Sequence, residues 1–283
     1  MKNRIKTLAR ELAPVFIDIR HHIHSHPELS FQEYATSQFI QQKLDEFGVS
    51  YQANVAGTGV IALIKGKNPS KRTIAIRADI DALPIVEANN VPYKSKHEGI
   101  MHACGHDVHT TCVLGATRIL QELKHGFEGT VKVLFQPGEE KHPGGASLMI
   151  RDGALENPRP DAILGMHVQP SMETGKLGFR AGKYMASADE IYITIKGKGG
   201  HAALPQLTTD TILVASHLVV SLQQIISRNN DPFSPSVLSI CAFNGGHTTN
   251  VIPSEVKLMG TFRAMDETWR FKAHELIRKQ ATE

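Results

Sequence analysis

The sequence predicts an α/β chain in two parts: a mostly parallel sheet built from βαβ units, followed by a ferredoxin-like α+β module. Three observations carry this expectation. Short apolar runs at residues 73–78, 131–135 and 162–166 alternate with segments of helical period, the order that forms parallel sheets. Each of those runs leads into Asp, Glu or His rather than into a neutral turn. Beyond Arg180 the texture changes to a β-α-β-β-α order, a ferredoxin-like module without its last strand. The 283 residues exceed one ordinary core, so two domains are expected, 1–182 and 183–283.

From the N-terminus, residues 3–24 have helical period, with Ile5, Leu8, Leu12, Val15, Ile19 and Ile23 near one face. Pro27 in HPELSFQE breaks the pattern, and residues 33–47 resume it until Gly48 ends the helix. Strands are expected at 60–65 and 73–78, a helix at 108–124, a strand at 131–135, a short helix from 146 to 152 and a strand at 162–166. In the second part, residues 188–196 alternate like a half-buried strand and run into the glycine-rich GKGGHAALP. A long amphipathic helix at 210–228, alternating strands at 237–243 and 256–263 and a helix at 266–280 complete the module.

Composition narrows the possible partners. A net charge of +3 without a dense Lys/Arg block speaks against nucleic acid. No stretch approaches the ~18 consecutive apolar residues of a membrane span. The N-terminal segment has basic residues but no apolar core or small-residue cleavage site, so it does not read as a secretory signal. Cys104, Cys112 and Cys241 form no framework of disulfides, which suits a reducing cytoplasm.

The strand ends carry the chemistry. In open α/β sheets, ligands bind beyond the carboxyl ends of the parallel strands. Here those ends deliver Asp79 and Asp81 (RADIDALP), Glu139 and Glu140 (QPGEE) and His167 (GMHV). MHACGHDVHTT adds Cys104 and His106. Thiolate, imidazole and carboxylate are the donors that suit zinc and its neighbours, so the pattern reads as a metal-dependent hydrolase. Cys104 and His106 lie two apart and must sit in a turn, at a helix start whose dipole would favour the thiolate. The bland alternative is a buried cysteine and a capping histidine. Adjacent Glu139 and Glu140 point different ways, so one can bind metal while the other faces a water; a solvated acidic loop is the alternative. Asp79 and Asp81 point to one side, where either could orient a metal-binding imidazole or simply cap the next turn. Most of the 15 histidines need no functional role.

Taken together, HHIHSHPELSFQE, RADIDALP, MHACGHDVHTT, QPGEE, GMHV, GKGGHAALP and NVIP resemble the zinc-dependent amidohydrolase/carboxypeptidase family of peptidase clan MH, along the whole chain. The MHACGHD form is similar to its amidohydrolase branch. The resemblance implies a metallohydrolase domain with a lid and dimerisation domain, acting on the amide bond of N-acyl amino acids. It implies that Cys104, His106, Glu140 and His167 hold two divalent metal ions (Zn, Mn, Co or Ni) and that Glu139 is the general base. Asp81, with Asp79 beside it, would orient a ligand from behind. His201 would reach the partner subunit's site in a homodimer, and Asn250 and Arg263 would contact the substrate carboxylate. Read as residues alone, His201 is a histidine in a glycine-rich loop and Arg263 a charge ending a strand.

The family pattern continues into a return segment with a final histidine ligand that this sequence lacks, so a C-terminally shortened chain is expected. That keeps two alternatives in view: a dipeptidase or carboxypeptidase of the same family, and a metal-binding remnant without turnover.

Overall fold

In the computed structural model, which describes residues 1–283, the first expected helix is two, α1 (Lys2–Glu11) and α2 (Ala13–Ser25). They part at Leu12 because Pro14 sits in the first turn of α2. There its missing N–H costs nothing, but its ring cannot follow an unbroken helix. The expected apolar face is corrected accordingly: Leu8, Ile19 and Ile23 are buried, whereas Ile5 and Val15 are exposed. Helix α3 (Tyr34–Glu46) follows and ends before Gly48, whose φ of 65° leaves the helical region.

Strand β1 (Ser50–Val55) escaped sequence reading because its YQAN segment is polar, as an edge strand allows. It turns back into β2 (Gly59–Lys65), which is followed by β3 (Thr73–Asp79), α4 (His106–Glu122), β4 (Thr130–Gln136), α5 (Gly145–Arg151) and β5 (Ala162–Gly165). The sheet order is β1-β2-β4-β3-β5. Strand β3 is parallel to β4 and β5, while β2 is antiparallel to β1 and β4. Four of the five strands therefore run the same way, with β2 alone reversed.

Helices α2, α3 and α4 cover one face through Ile23, Ile40, Leu44, Val60, Ile64, Leu114 and Phe135. On the other face Met149 of α5 packs with Ile61, Ala75 and Leu134. Strand β5 is the sheet edge, and all four of its residues are exposed. Register brings the ligand-bearing ends together. Asp79 pairs with Gln136, so the end of β3 is level with the start of the Pro137–Glu140 turn. Arg77 pairs with Gly165, so the chain beyond β5 carries His167 to the same end of the sheet.

These elements form one compact unit, Met1–Thr174; a second comprises Gly175–Glu283, whereas the sequence suggested a boundary near 182. The second unit contains β6 (Asp189–Lys196), the short β7 (Gly200–His201), α6 (Thr211–Gln224) running into a π-helical turn (Ile225–Asn229), β8 (Ser236–Asn244), the short β9 (Val251–Ile252), β10 (Glu255–Ala264) and α7 (Glu267–Thr282). Its main sheet is antiparallel in the order β6-β10-β8, the arrangement a βαββα module gives. Asp210 and Asp266 cap the two helices, accepting from Leu213 N at 3.0 Å and Trp269 N at 2.9 Å. Leu222, Phe262, Trp269, Ala273 and Ile277 close the core between helices and sheet. No helix is long and apolar enough to cross a membrane.

Leu114, fully buried on α4 against the sheet, reports how far the site depends on this packing. Leu114→Ala is expected to cost about 2–5 kcal/mol, read as a lower midpoint in urea unfolding. A midpoint unchanged from wild type would contradict the packing described.

Candidate metal centre

Helix α4 starts at His106, two residues before the expected Val108, because Gly105 makes the turn into it with φ of 88°. A Cβ at Gly105 would lie 2.3 Å from Val168 Cγ2, so this position is closed to other residues on space as well as on torsion. The turn leaves Cys104 before the helix and His106 in its first coil.

His106 is 1% exposed, and its Nδ1 lies 2.9 Å from Asp81 O and 3.2 Å from Asp81 Oδ1. Both are acceptors, so Nδ1 carries the proton and Nε2 presents its lone pair. That Nε2 is buried without a hydrogen-bond partner. Around it stand Asp79 Oδ2 at 3.6 Å, Glu140 Oε1 at 3.7 Å and Glu139 Oε2 at 3.9 Å. The same logic fixes His167: Nδ1 donates to Val168 O at 2.8 Å, leaving Nε2 free to face Cys104 Sγ at 3.3 Å. Three donor groups result, Cys104–His106–His167, His106–Glu139–Glu140 and the buried Asp79–His106–His109, with the atoms of each within 4.8 Å of one another. The first two bring all four expected ligands together, and His106 belongs to all three groups. A cleft of about 450 Å³ opens beside Glu139, lined by Arg77, Gln136, Ile163 and Gly165 among others. A larger one of about 550 Å³, around Trp269 in the second unit, contains none of the expected site residues.

The supporting residues were largely missed by sequence reading. Asp81 Oδ2 accepts from Ser30 Oγ at 2.6 Å and from Glu140 N at 2.9 Å. Fully buried Glu33 accepts from Gly138 N at 2.8 Å, Phe31 N at 2.9 Å and Thr58 Oγ1 at 2.6 Å, pinning the turn that presents Glu139 and Glu140. Gly138 has φ of 55° and lies against the Phe31 ring, 2.3 Å from where a Cβ would stand. His109 was also missed. Its Nδ1 donates to Asp79 Oδ1 at 2.6 Å and its Nε2 accepts from Val168 N at 2.9 Å, so both nitrogens are engaged and it steadies the His167 loop. Its spacing of three from His106 on one helix was the available signal. Nothing local in HPELSFQE announces the roles of Ser30 and Glu33.

Electrostatics correct one further expectation. The Cys104 thiol is pushed up to about 12, first by burial and then by Glu140, Glu139 and Asp79. Burial and three carboxylates outweigh the helix dipole. A divalent cation reverses that balance, because a coordinated thiol is deprotonated outright. The donor set and the uncommitted His106 Nε2 thus fit a divalent metal of the zinc type. Burial and the neighbouring Glu140 charge push Glu139 above the usual carboxylate range. Burial lowers the His106 pKa, but the Asp81 hydrogen bond and the surrounding carboxylates outweigh it and raise the value. Burial alone would raise Asp79, yet the His109 hydrogen bond and Arg77 bring it down to about 2.

In the second unit, exposed His201 pairs with Val251, its Nδ1 accepts from Ala203 N at 3.1 Å, and Ala202 N donates to Asn250 O at 3.0 Å. His201 and Asn250 are therefore neighbours. Arg263 is exposed near the far end of β10, opposite Val237, and does not join them.

Asp79, Asp81 and Asp107 all have lowered folded pKa values. Such groups contribute stability above their ordinary value of 3.8 and lose it as pH falls through the folded values, about 2 for Asp79. Glu33, whose pKa burial raises, works in the opposite sense. The metal-free protein should lose stability between 3.8 and about 2, and Asp79→Asn should flatten that acid limb. Chemical unfolding at a series of pH values checks this; an equally steep limb in the variant would refute the assignment to Asp79.

Comparison with known proteins agrees with this geometry. The model of peptidase family M20/M25/M40 matches residues 75–279. The N-acyl-L-amino acid amidohydrolase of Geobacillus stearothermophilus is 44% identical over 269 residues, covering 95% of this chain and 72% of that protein. The N-acetyl-L-cysteine deacetylase of Bacillus subtilis is 45% identical over 276 residues, covering 95% of this chain and 65% of that one. The chain thus spans roughly two thirds of the length of these relatives. A Bacillus subtilis crystal structure described as a dinuclear metal binding peptidase superposes with a TM-score of 0.78 at 37% identity, covering 96% of this chain and 70% of that one. The chain belongs to peptidase family M20/M25/M40.

Proposed function

We propose that this protein hydrolyses the amide bond of N-acyl amino acids at a two-metal centre held by Cys104, His106, Glu140 and His167. The observation that carries the reading is His106: Asp81 fixes its tautomer, and its buried, uncommitted Nε2 faces the Glu139–Glu140 turn. Divalent cations there, Zn, Mn, Co or Ni, would lower the pKa of the attacking water and polarise the scissile carbonyl. Glu139 takes the proton from that water and returns it to the leaving nitrogen, and its raised pKa suits both transfers. Asp81 holds the His106 tautomer, and Asp79 holds His109 and through it the His167 loop. The names of the two similar hydrolases support an N-acyl amino acid as substrate. The cysteines, none of them paired, support a cytoplasmic setting.

Residues 1–182 act as the catalytic domain and residues 183–283 as a lid and dimerisation domain. Strand β6 is an edge of its sheet, and Leu213, Val214 and Val220 of α6 are exposed, which supports an isologous homodimer through this part. In that dimer His201 reaches the partner subunit's site and steadies the oxyanion, and Asn250 beside it receives the substrate carboxylate. Arg263, at the other end of β10, would be a separate contact for that carboxylate and not part of the His201–Asn250 pair.

Two experiments follow. Glu139→Gln should lower kcat on acetyl- or benzoyl-amino acids by roughly 10²–10⁴-fold, with bound metal unchanged by elemental analysis. Near-wild-type turnover with metal bound would sink the role of Glu139, and faster cleavage of free dipeptides than of their N-acyl forms would favour a dipeptidase. Mixing His201→Ala chains with Glu139→Gln chains should restore part of the activity, since one site of each heterodimer keeps both groups. Continued inactivity after verified subunit exchange would rule out action across the dimer.

A further inference from the structure

Hydrolysis as described makes no use of a second group of charges, packed behind the first turn of α4. Asp107, next to His106 and 1% exposed, turns away from the ligands toward α2. Its Oδ2 accepts from His24 Nδ1 at 2.7 Å and from Arg20 Nε at 2.9 Å. His24 Nε2 donates in turn to Glu87 Oε1 at 3.1 Å, and Glu87 Oε2 accepts from Ser95 N at 2.7 Å. His24 and Glu87 are themselves 4% and 5% exposed. Asp107 Oδ1 and both nitrogens of neighbouring His102 have no partner, so the cluster is not built for economy of charge burial. Replacing such a network with apolar residues is often neutral or stabilising, which makes stability alone a poor reason for it.

Its position suggests another. The turn at Gly105 sets where Cys104 and His106 stand, and it is flanked by two sets of ties. On the ligand side Asp81 holds His106 and Asp79 holds His109. On the opposite side Asp107 is the tie, and it runs to α2 and to the Glu87 segment. Successive helical residues diverge by about 100°, so His106 and Asp107 fix the rotation of the turn from two directions.

We propose that Asp107 is a positioning residue for the metal centre: anchored by Arg20 and His24, it sets the orientation of the turn that presents Cys104 and His106. The inference rests on the reading of those two residues as ligands.

The test uses the full chain stripped of metal and titrated with Co(II), following the thiolate-to-Co(II) and d–d absorption bands and measuring Kd by chelator competition. Asp107→Ala should weaken Co(II) binding by about 10–100-fold and shift the bands. His24→Gln, which keeps a donor toward Asp107, should do so less. Thermal unfolding of the metal-free variants separates orientation from stability. Unchanged bands with Kd within twofold of wild type, whatever the fall in Tm, would reduce the cluster to a structural tie and overturn the proposal. If Asp107→Ala does not fold, Asp107→Asn carries the same test, and wild-type bands and Kd in it would equally overturn the proposal. Failure of the wild-type chain to bind Co(II) would overturn the ligand reading together with this one.

Discussion

One carboxylate organises the site. Asp81 accepts from the His106 ring, from Ser30 Oγ and from the Glu140 amide, joining the end of β3, the segment before α3, the first turn of α4 and the turn after β4. Each of these bonds settles something chemical. The first selects the tautomer that leaves Nε2 free, and the third sets the backbone from which Glu139 and Glu140 project. Buried at 1% exposure, Asp81 stays ionised because its three hydrogen-bond donors outweigh the cost of removing it from water.

That arrangement creates an imbalance. Asp79, Asp81, Glu139 and Glu140 crowd around one imidazole and one thiol; burial, reinforced by the nearest of these carboxylates, leaves a Cys104 that resists ionising and a Glu139 that holds its proton more tightly than usual. Protein cations answer only part of this charge: Arg77 bonds Asp79 at 2.7 Å, and no Lys or Arg forms an ion pair with Glu139 or Glu140. A divalent cation held at the converging donors would offset the crowded negative charge. On the proposed reading of Glu139 as the general base, hydrolysis would use the same crowding, since a carboxylate with a raised pKa can both take and return a proton.

Behind the ligands, support comes from segments remote in sequence. Glu33 pins the Gly138 amide across 105 residues, and His24 reaches Asp107 across 83. HHIHSHPELSFQE and the Arg20 just before it thus lie far from the ligands along the chain while supplying Ser30 to Asp81, Glu33 to the turn after β4, and Arg20 and His24 to the back of α4. In the second unit the antiparallel β6-β10-β8 sheet brings His201 and Asn250 side by side through the β7–β9 pairing and leaves Arg263 at the other end of β10.

Local pattern alone determined most elements, because periods of two and 3.6 are imposed by burying one face. The strands at 73–79 and 130–136, the helices α3, α4, α6 and α7 and the βαββα order of the second part were all legible in this way. So were the five residues gathered at the strand ends, since the ends of parallel strands collect in one place whatever their order, and Cys104 and His106 at the start of the helix between them. What the sequence could not reveal is whatever depends on a partner distant along the chain. A polar edge strand such as β1 is stabilised by its neighbour rather than by its own composition. The exposure of β5 turned on its being last in the sheet order, whereas the break at Leu12 is a local effect of Pro14 that the helical period masked. The tautomers of His106 and His167, the capture of both His109 nitrogens and the roles of Ser30, Glu33 and Asp107 were decided only when the tertiary structure brought donor to acceptor. Hydrogen bonds need atoms within about 3 Å, and no sequence spacing specifies that distance between residues eighty positions apart.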